Sequence, residues 1–356
     1  MRQFHPLRVA EVKRETPEAV SIRFDVPQDL APVFQYTPGQ HLTLKTEIGG
    51  QEVRRSYSIC SGTDEGVLRI AVKKIPEGVF SGHANEGLKA GDLIEVYPPT
   101  GRFSVEIDPE ATRSYVAFVA GSGITPVLSI VKTVLAHEPR SRFLLVYGNR
   151  SPSSIMFMEE LAALKDRYMG RLEVLHVLSQ GQSDIPLFNG RIDAEKVRAV
   201  LKHLVDPATI DAAFVCGPNA MIDTVEATLA EAGVEKRRIL TERFLAPDAA
   251  CATPAVRRAA AAVSGRSQVT VVIDDQAVSF PDDGTQTILD GALAAGAPVP
   301  FACKGGVCCT CRAKVLEGEV EMAVNYNLEE DEVAAGYVLT CQSFPRTERV
   351  VLSFDA

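Results

Sequence analysis

Over residues 1–108, apolar positions come in short runs separated by turn residues. Ala19–Phe24, His41–Thr46, Arg55–Ile59, Leu68–Val72 and Leu93–Val96 read as strands, punctuated by pairs such as Pro38-Gly39 and Pro98-Pro99. Short strands at this spacing predict a small antiparallel barrel. Near Arg113 the pattern changes. Tyr115–Ala120 is a continuous apolar run, followed by a glycine loop and a helix from about Pro126. Strands at Phe143–Tyr147, Leu172–Leu178 and Ala212–Cys216 alternate with helices at Ser154–Lys165 and from about Asn219. Alternating strands and helices predict a parallel, doubly wound sheet over residues 109–245.

Periodicity is lost over 246–267, where Ala-rich sequence with Pro, Ser and Gly reads as a linker. A third unit, 268–356, opens with a strand at Val269–Ile273, a turn at Asp282-Asp283-Gly284 and a helix at Thr287–Ala295. The expectation is therefore a multidomain chain with no internal repeat.

At 356 residues the chain is too long for one ordinary core. The N-terminal residues hold no apolar signal-like run, and the most apolar stretch, Tyr115–Val131, is broken by Gly121, Gly123 and Pro126. These features predict a soluble, cytoplasmic protein without a membrane span. The net charge of −9 is uneven: from Gln268 onward five Lys/Arg face fourteen Asp/Glu, and the rest of the chain is balanced. Such a face disfavours nucleic acid and suits a basic protein partner, although a solvated acidic surface would look the same.

Of eight cysteines, Cys60, Cys216, Cys251 and Cys309 form no spacing pattern; Cys60 and Cys309 read as packing residues. The others do form one: Cys303, Cys308 and Cys311 lie in Cys303-Lys-Gly-Gly-Val-Cys308-Cys-Thr-Cys311, and twenty-nine residues separate Cys311 from Cys341. Four thiolates must converge on two irons, so a tight loop gives three ligands and a distant segment the fourth. Gly305 and Gly306 let backbone N–H groups approach the sulfurs. A zinc site would ask for a second close-spaced pair, and no His lies in this unit. This segment resembles plant-type ferredoxins, which implies a β-grasp α+β fold around a [2Fe–2S] cluster.

Two further motifs gain meaning together. Arg55-Ser56-Tyr57-Ser58 lies on a barrel strand, and Gly78-Val79-Phe80-Ser81 offers free N–H groups and a hydroxyl to a diphosphate. They resemble the FAD domain of the ferredoxin–NADP⁺ reductase superfamily. The resemblance implies Arg55 on the FAD pyrophosphate, Tyr57 against the isoalloxazine and Ser58 near flavin N5, with Val72 and Lys73 in a second contact segment. Gly121-Ser-Gly123-Ile124-Thr125-Pro126 follows a strand and opens a helix, as a nucleotide-binding loop does. Cys216-Gly217-Pro218-Asn-Ala-Met221 matches the superfamily's element beside the nicotinamide, and Thr241-Glu242-Arg-Phe244 its closing segment. That implies Ser58, Cys216 and Glu242 around the reacting atoms and Phe244 over the flavin. After the second strand of the sheet, Asn149-Arg150-Ser151 contains no acid; a guanidinium and a hydroxyl suit a 2′-phosphate and hence NADPH.

Flavin between hydride donor and one-electron cluster is the expected order, since flavin handles both kinds of transfer. Arg54-Arg-Ser-Tyr-Ser-Ile-Cys60, Tyr147-Gly-Asn-Arg150, Ala302–Cys308 and Asn325–Cys341 also resemble the reductase-subunit family of phenylacetyl-CoA 1,2-epoxidase complexes. That resemblance implies a multisubunit di-iron oxygenase as electron acceptor, docking at the acidic face that includes Glu329-Glu330-Asp331-Glu332. No Glu-x-x-His pair that would hold a di-iron site lies on a helix of this chain. Two alternatives stay open: a reductase for another di-iron hydroxylase or desaturase, and a redox sensor without turnover.

Overall fold

The computed structural model describes residues 3–181, 183–244 and 267–356. The linker assigned to 246–267 falls outside them except for Ser267, which already belongs to a strand; Cys251 also falls outside. The chain divides into two compact units, Arg2–Phe244 and Leu245–Ala356.

The first unit holds two sheets. Strands β1 (His5–Thr16), β2 (Ala19–Asp25), β3 (His41–Ile48), β4 (Gln51–Ser58), β5 (Leu68–Lys73) and β6 (Leu93–Thr100) form an antiparallel sheet in the order β4-β3-β6-β1-β2-β5. Ile59, just past β4, bridges Ile70 of β5, which brings the two edges together as a barrel. Leu7, Ile22, Leu42, Leu44 and Val96, all at most 2% exposed, fill its interior. Helix α1 (Val79–Glu86) follows β5, and its Phe80 plugs the barrel.

The second sheet is parallel: β7 (Ser114–Ala120), β8 (Arg142–Asn149), β9 (Leu172–Leu178), β10 (Ala212–Gly217) and β11 (Ile239–Arg243), in the order β11-β10-β7-β8-β9. Helices α2 (Ile124–His137) and α3 (Met158–Arg167) contribute to one core; α4 (Ala194–His203) and α5 (Asn219–Glu231) contribute to another. This is the doubly wound arrangement, whose strand order reverses at β7 and β10. Ligands bind such sheets at the carboxyl ends of those strands.

The barrel and the parallel sheet share a core. Ala19, Cys60, Ala71 and Phe103 pack in the same cluster as Val127, Val131 and Phe214. A polar strap reinforces the seam. Lys132 of α2, 4% exposed, is held by Glu65 at 2.9 Å and by Glu160, and Arg69 of β5 reaches Glu160 at 2.6 Å. Burial works against the Glu160 charge, but Lys132 and Arg69 outweigh it and hold its pKa below the ordinary carboxylate value. An ammonium buried this deeply and left unpaired would cost several kcal/mol, on the order of 3–5. The carboxylates thus fix how α2 meets the barrel, and with it the glycine loop at the helix's start.

The second unit is a β-grasp. Strands β12 (Ser267–Ile273), β13 (Gln276–Asp282), β14 (Arg312–Glu317), β16 (Tyr337–Leu339) and β18 (Arg349–Ser353) form a mixed sheet in the order β13-β12-β18-β14-β16, with β12 and β18 parallel. Helix α6 (Ile288–Ala294) packs Ile288, Leu289 and Ala292 into the core beneath it; its N-cap Thr287 accepts from the Asp290 N–H. Strands β15 (Val320–Met322) and β17 (Ser343–Pro345) pair separately, and α7 (Glu330–Ala334) precedes β16. Among the described residues no helix is long and apolar enough to cross a membrane.

Candidate functional site

Strand register decides what β4 presents. Arg55 and Tyr57 stand opposite Leu44 and Leu42, while Ser56 and Ser58 stand opposite Thr43 and His41 on the other face. Tyr57 rests on Phe80, ring centroids 5.3 Å apart, leaving it half-buried with its phenol pushed up by burial. The Arg55 guanidinium, also half-buried, donates to the Arg54 carbonyl at 2.7 Å. Ser56 Oγ lies 3.1 Å from Thr43 Oγ1.

At the start of α1 the Ser81 hydroxyl accepts from Ile75 N and donates to the Gly78 carbonyl, both at 3.2 Å, so it closes the turn itself. Val79 is exposed, whereas Phe80 is buried, as is Val72. A cofactor contact from Phe80 or Val72 can therefore come only from backbone. An open groove of about 530 Å³ runs along the helix, lined by Ile48, Lys74, Ile75, Gly78, Val79 and His83.

The glycine loop meets β10. A Cβ on Gly123 would lie 2.2 Å from the Cys216 carbonyl oxygen, so only glycine lets the loop close on the strand. Ile124, Thr125 and Pro126 are buried, and Thr125 Oγ1 donates to the Ser122 carbonyl at 2.9 Å. Gly217 and Pro218 lead into α5, on which Met221 is buried. Beside Gly121, whose carbonyl accepts from Tyr147 at 3.0 Å, stands the Lys73 ammonium. Burial lowers the Lys73 pKa and Arg150 lowers it further, against Glu18. Arg150 is exposed and ion-paired with Glu18. Two cations and one carboxylate thus gather at the loop, with Lys73, expected in the flavin-contacting segment, beside it.

Asn149 supplies the clearest vacancy of partners. It is 9% exposed, and neither its Nδ2 nor its Oδ1 has a hydrogen-bond partner among the described residues. The Tyr147 hydroxyl, which donates to the Gly121 carbonyl, stands near enough for its oxygen to interact with the Asn149 amide as well. Buried amides are normally satisfied, so this one fits a ligand group. Ser151 acts locally: its N–H donates to Ser154 Oγ at 3.0 Å. No sequence motif marks a groove of about 370 Å³ beyond β9, lined by His176, Leu178, Phe188 and Asn189, where His176 Nδ1 is also unpartnered.

Glu242 joins the two sheets. It is in register with Cys216 and accepts a hydrogen bond from Ser58 Oγ at 3.1 Å. Its side chain is 12% exposed. Burial pushes the carboxyl up to about 8, and the Ser58 hydroxyl only partly offsets this. The Cys216 thiol is fully buried and pushed up by burial and then by Glu242, so it is a neutral group rather than a thiolate. Phe244, 41% exposed, follows directly.

In the second unit the four cysteines converge as the spacing predicts. Cys308, Cys311 and Cys341 are buried and Cys303 half-buried. Thiol contacts pair Cys303 with Cys308 and Cys311 with Cys341, and link Cys303 to Cys341. The four sulfurs are thus linked to one another, the donor set that a [2Fe–2S] cluster takes. Backbone N–H groups already point at sulfur: Gly305 and Cys308 donate to Cys303 Sγ at 3.2 and 3.4 Å, and Cys303 to Cys308 Sγ at 3.5 Å. Gly306, at φ +73°, makes this turn. Tyr326 N, Asn327 Nδ2 and Gln342 Nε2 tie the loop through the carbonyls of Gly306, Val307 and Lys304 at 3.1, 2.7 and 2.8 Å. Cys309 packs against the hydrophobic core. The acidic run is split: Glu329, Glu330 and Asp331 are exposed, but Glu332 is 7% exposed and faces Arg312 at 3.0 Å, so it leaves the expected partner face.

Models of known families match in the same order: an oxidoreductase FAD-binding domain over residues 6–105, an oxidoreductase NAD-binding domain over 118–227 and a 2Fe-2S iron–sulfur cluster binding domain over 271–346. The chain is 46% identical to a subunit of the 1,2-phenylacetyl-CoA epoxidase of Escherichia coli K12, covering all of this chain and 99% of that protein. It is 34% identical to the ferredoxin reductase component of 3-ketosteroid-9-alpha-monooxygenase from Rhodococcus rhodochrous, covering 98% and 96%. Among solved structures, phthalate dioxygenase reductase matches with a TM-score of 0.60 at 25% identity, covering 99% of this chain and 98% of that one.

Proposed function

Because this chain belongs to the family of flavin reductases that end in their own [2Fe–2S] domain, the family that includes the Escherichia coli epoxidase subunit, we propose that it draws on NADPH to feed a di-iron oxygenase of the phenylacetyl-CoA epoxidase kind. The chain is an NAD(P)H oxidoreductase that passes electrons through FAD to a [2Fe–2S] cluster. Bound flavin takes hydride as a unit and releases electrons singly, which the cluster accepts one at a time. The observation that carries the reading is the convergence of Cys303, Cys308, Cys311 and Cys341 with N–H groups already on their sulfurs, in a chain whose other unit sets a buried acid behind Ser58.

The work is divided among this chain's residues. Arg55, Ser56, the backbone of Val72, and the α1 start from Gly78 to Ser81 hold the flavin phosphates, with the groove along α1 open to the adenosine end. Tyr57 and Phe244 cover the ring faces, and Ser58 faces the reacting edge with Glu242 behind it. Gly121, Gly123 and the α2 start with Ile124, Thr125 and Pro126 cradle the nicotinamide nucleotide's diphosphate, with Lys73 as a further cation; Cys216, Gly217, Pro218 and Met221 shape the nicotinamide pocket. The groove beyond β9 offers apolar walls and an open imidazole nitrogen to the adenine. The protein works in the cytoplasm, where thiolate ligands stay reduced.

Asn149, Arg150 and Ser151 read the 2′-phosphate. Arg150 must exchange Glu18 for that phosphate, which only NADPH provides. Arg150→Ala should raise KM for NADPH by about 10- to 100-fold, the value of one charge-assisted contact, and leave KM for NADH within about threefold. Steady-state kinetics with both coenzymes checks this, and equal losses would remove Arg150 from the phosphate site.

For the acceptor, the exposed Glu329, Glu330 and Asp331 suit a basic oxygenase surface. Stopped-flow reduction of a purified phenylacetyl-CoA epoxidase oxygenase should slow with added salt, and at least about tenfold at low salt when the three acids are neutralised together. Ferricyanide reduction should be unaffected. Failure to reduce that oxygenase would point to another acceptor, such as the monooxygenase served by the Rhodococcus relative.

A further inference from the structure

Two peptides of the cysteine loop are bonded at both ends. The peptide joining Lys304 to Gly305 donates its N–H to Cys303 Sγ at 3.2 Å, and its carbonyl accepts from Gln342 Nε2 at 2.8 Å. The peptide joining Val307 to Cys308 repeats the arrangement. Its N–H donates to Cys303 Sγ at 3.4 Å, and its carbonyl accepts from Asn327 Nδ2 at 2.7 Å. A trans peptide is planar, with N–H and C=O pointing opposite ways, so a donor fixed on the oxygen fixes where the N–H points. Two side-chain amides from different segments thus aim two dipoles at one sulfur.

Both amides are themselves held in place. Gln342 is 2% exposed, directly follows Cys341, and its backbone carbonyl accepts from Ala323 N at 2.8 Å. Its stem lies against the loop: a Cβ on Gly306 would meet Gln342 Cγ at 3.2 Å. Lys304, whose carbonyl it grips, sits at φ +52°, a backbone region that strains a residue with a Cβ and persists only when its surroundings enforce it. Asn327 stands on a turn built by Asn325. The Asn325 Oδ1 accepts from Asn327 N at 3.1 Å and from Leu328 N at 2.8 Å, and its Nδ2 donates to the Leu328 carbonyl at 2.9 Å.

Resting on the assignment of the four cysteines to a [2Fe–2S] cluster, we propose that Gln342 and Asn327 are positioning residues that raise the cluster's midpoint potential by holding these two N–H groups on the Cys303 sulfur. Reduction adds one electron, supplied by the flavin; no bond breaks and no proton moves. The added negative charge reaches the sulfurs, where N–H dipoles favour it, so each held N–H makes the cluster easier to reduce. Linked hydrogen bonds polarise one another, so a donor on the carbonyl also strengthens the N–H at the other end of the peptide. Cys303 is the half-buried member of the four, and water competes there for a sulfur whose donors are not held.

Gln342→Met keeps an unbranched side chain of similar length and removes the donor; Asn327→Leu removes the donor on the second peptide. Neither substitution changes charge, so a shift in potential cannot come from an altered Coulomb field. Spectroelectrochemical titration of the full-length holoprotein should find each variant's cluster about three- to tenfold harder to reduce at equilibrium, the worth of about one hydrogen bond. That is a midpoint about 30 to 60 mV lower, at 59 mV per tenfold for one electron. The double variant should move further than either. Thr347→Ala, in the turn between β17 and β18, removes the hydroxyl that accepts from Glu319 N at 3.1 Å; it should lower Tm and leave the potential unchanged. Unshifted potentials in both loop variants, or a shift as large in Thr347→Ala, would overturn the proposal. So would loss of iron from both loop variants with the unit still folded, since that makes the amides assembly residues. An iron-free wild-type preparation would instead remove the cluster assignment itself.

Discussion

Cys308→Ser abolishes the third reducing equivalent that the protein takes up from NADPH and leaves the first two. Cys308 is 4% exposed, its N–H donates to Cys303 Sγ, and its own Sγ accepts from Cys303 N. Replacing the thiolate by a hydroxyl removes one of four ligands and a sulfur that a backbone N–H is built to meet. Flavin and nucleotide groups lie in the separate unit Arg2–Phe244 and keep their contacts. The variant should therefore lose iron and the cluster's visible absorption, keep flavin reduction and ferricyanide activity within about twofold, and reduce a one-electron protein acceptor at least about 10²-fold more slowly. Anaerobic NADPH titration followed by visible spectroscopy checks the count. Retained cluster absorption would take Cys308 out of the ligand set.

Glu242→Gln is expected to cost about 10²-fold in flavin reduction by NADPH, within the range that general acid–base groups contribute, with KM little changed. Gln keeps the shape and can still accept from Ser58, but it cannot exchange a proton. The same variant has a signature in stability. A carboxyl at about 8 in the folded chain, against roughly 4.3 when unfolded, stabilises the fold only while protonated. That contribution is whole below about pH 4 and drains away as pH rises toward 8, at up to about 1.4 kcal/mol per unit. Wild-type Tm should fall across this window more steeply than that of Glu242→Gln. Parallel Tm curves would show that the carboxyl is ionised at neutral pH, and stopped-flow rates equal to wild type would remove it from the reaction.

Local chemistry is legible in the sequence wherever a few neighbouring residues must do one job. The cysteine spacing alone demands four converging sulfurs, and Gly123 announces a loop pressed against a strand. The alternation of strands and helices yields the parallel sheet, and the short, closely spaced strands yield the antiparallel sheet before it. Features built by register are not legible. Strand β1 escapes a reading by periodicity because charged residues break its alternation, Arg8, Glu11, Lys13, Arg14 and Glu15 among them, and its partners are β2 and β6. Helix α4 escapes it too, although Val197, Val200 and Leu201 keep helical spacing behind the Asp193 cap. No motif joins Ser58 to Glu242: β11 brings the carboxyl in from 184 residues away. Glu332 reads as one more surface acid until Arg312 is placed beside it, and nothing in the sequence sets Lys73 next to the glycine loop.

The measurement that reaches the central claim most directly is the same anaerobic titration on the wild-type holoenzyme, with flavin and iron quantified beforehand. One flavin takes two electrons and one [2Fe–2S] cluster takes one, so about one and a half equivalents of NADPH should bleach both bands. An end point at one equivalent, with flavin bleached, no iron present and no second band to lose, would contradict the passage of electrons from flavin to a cluster in this chain.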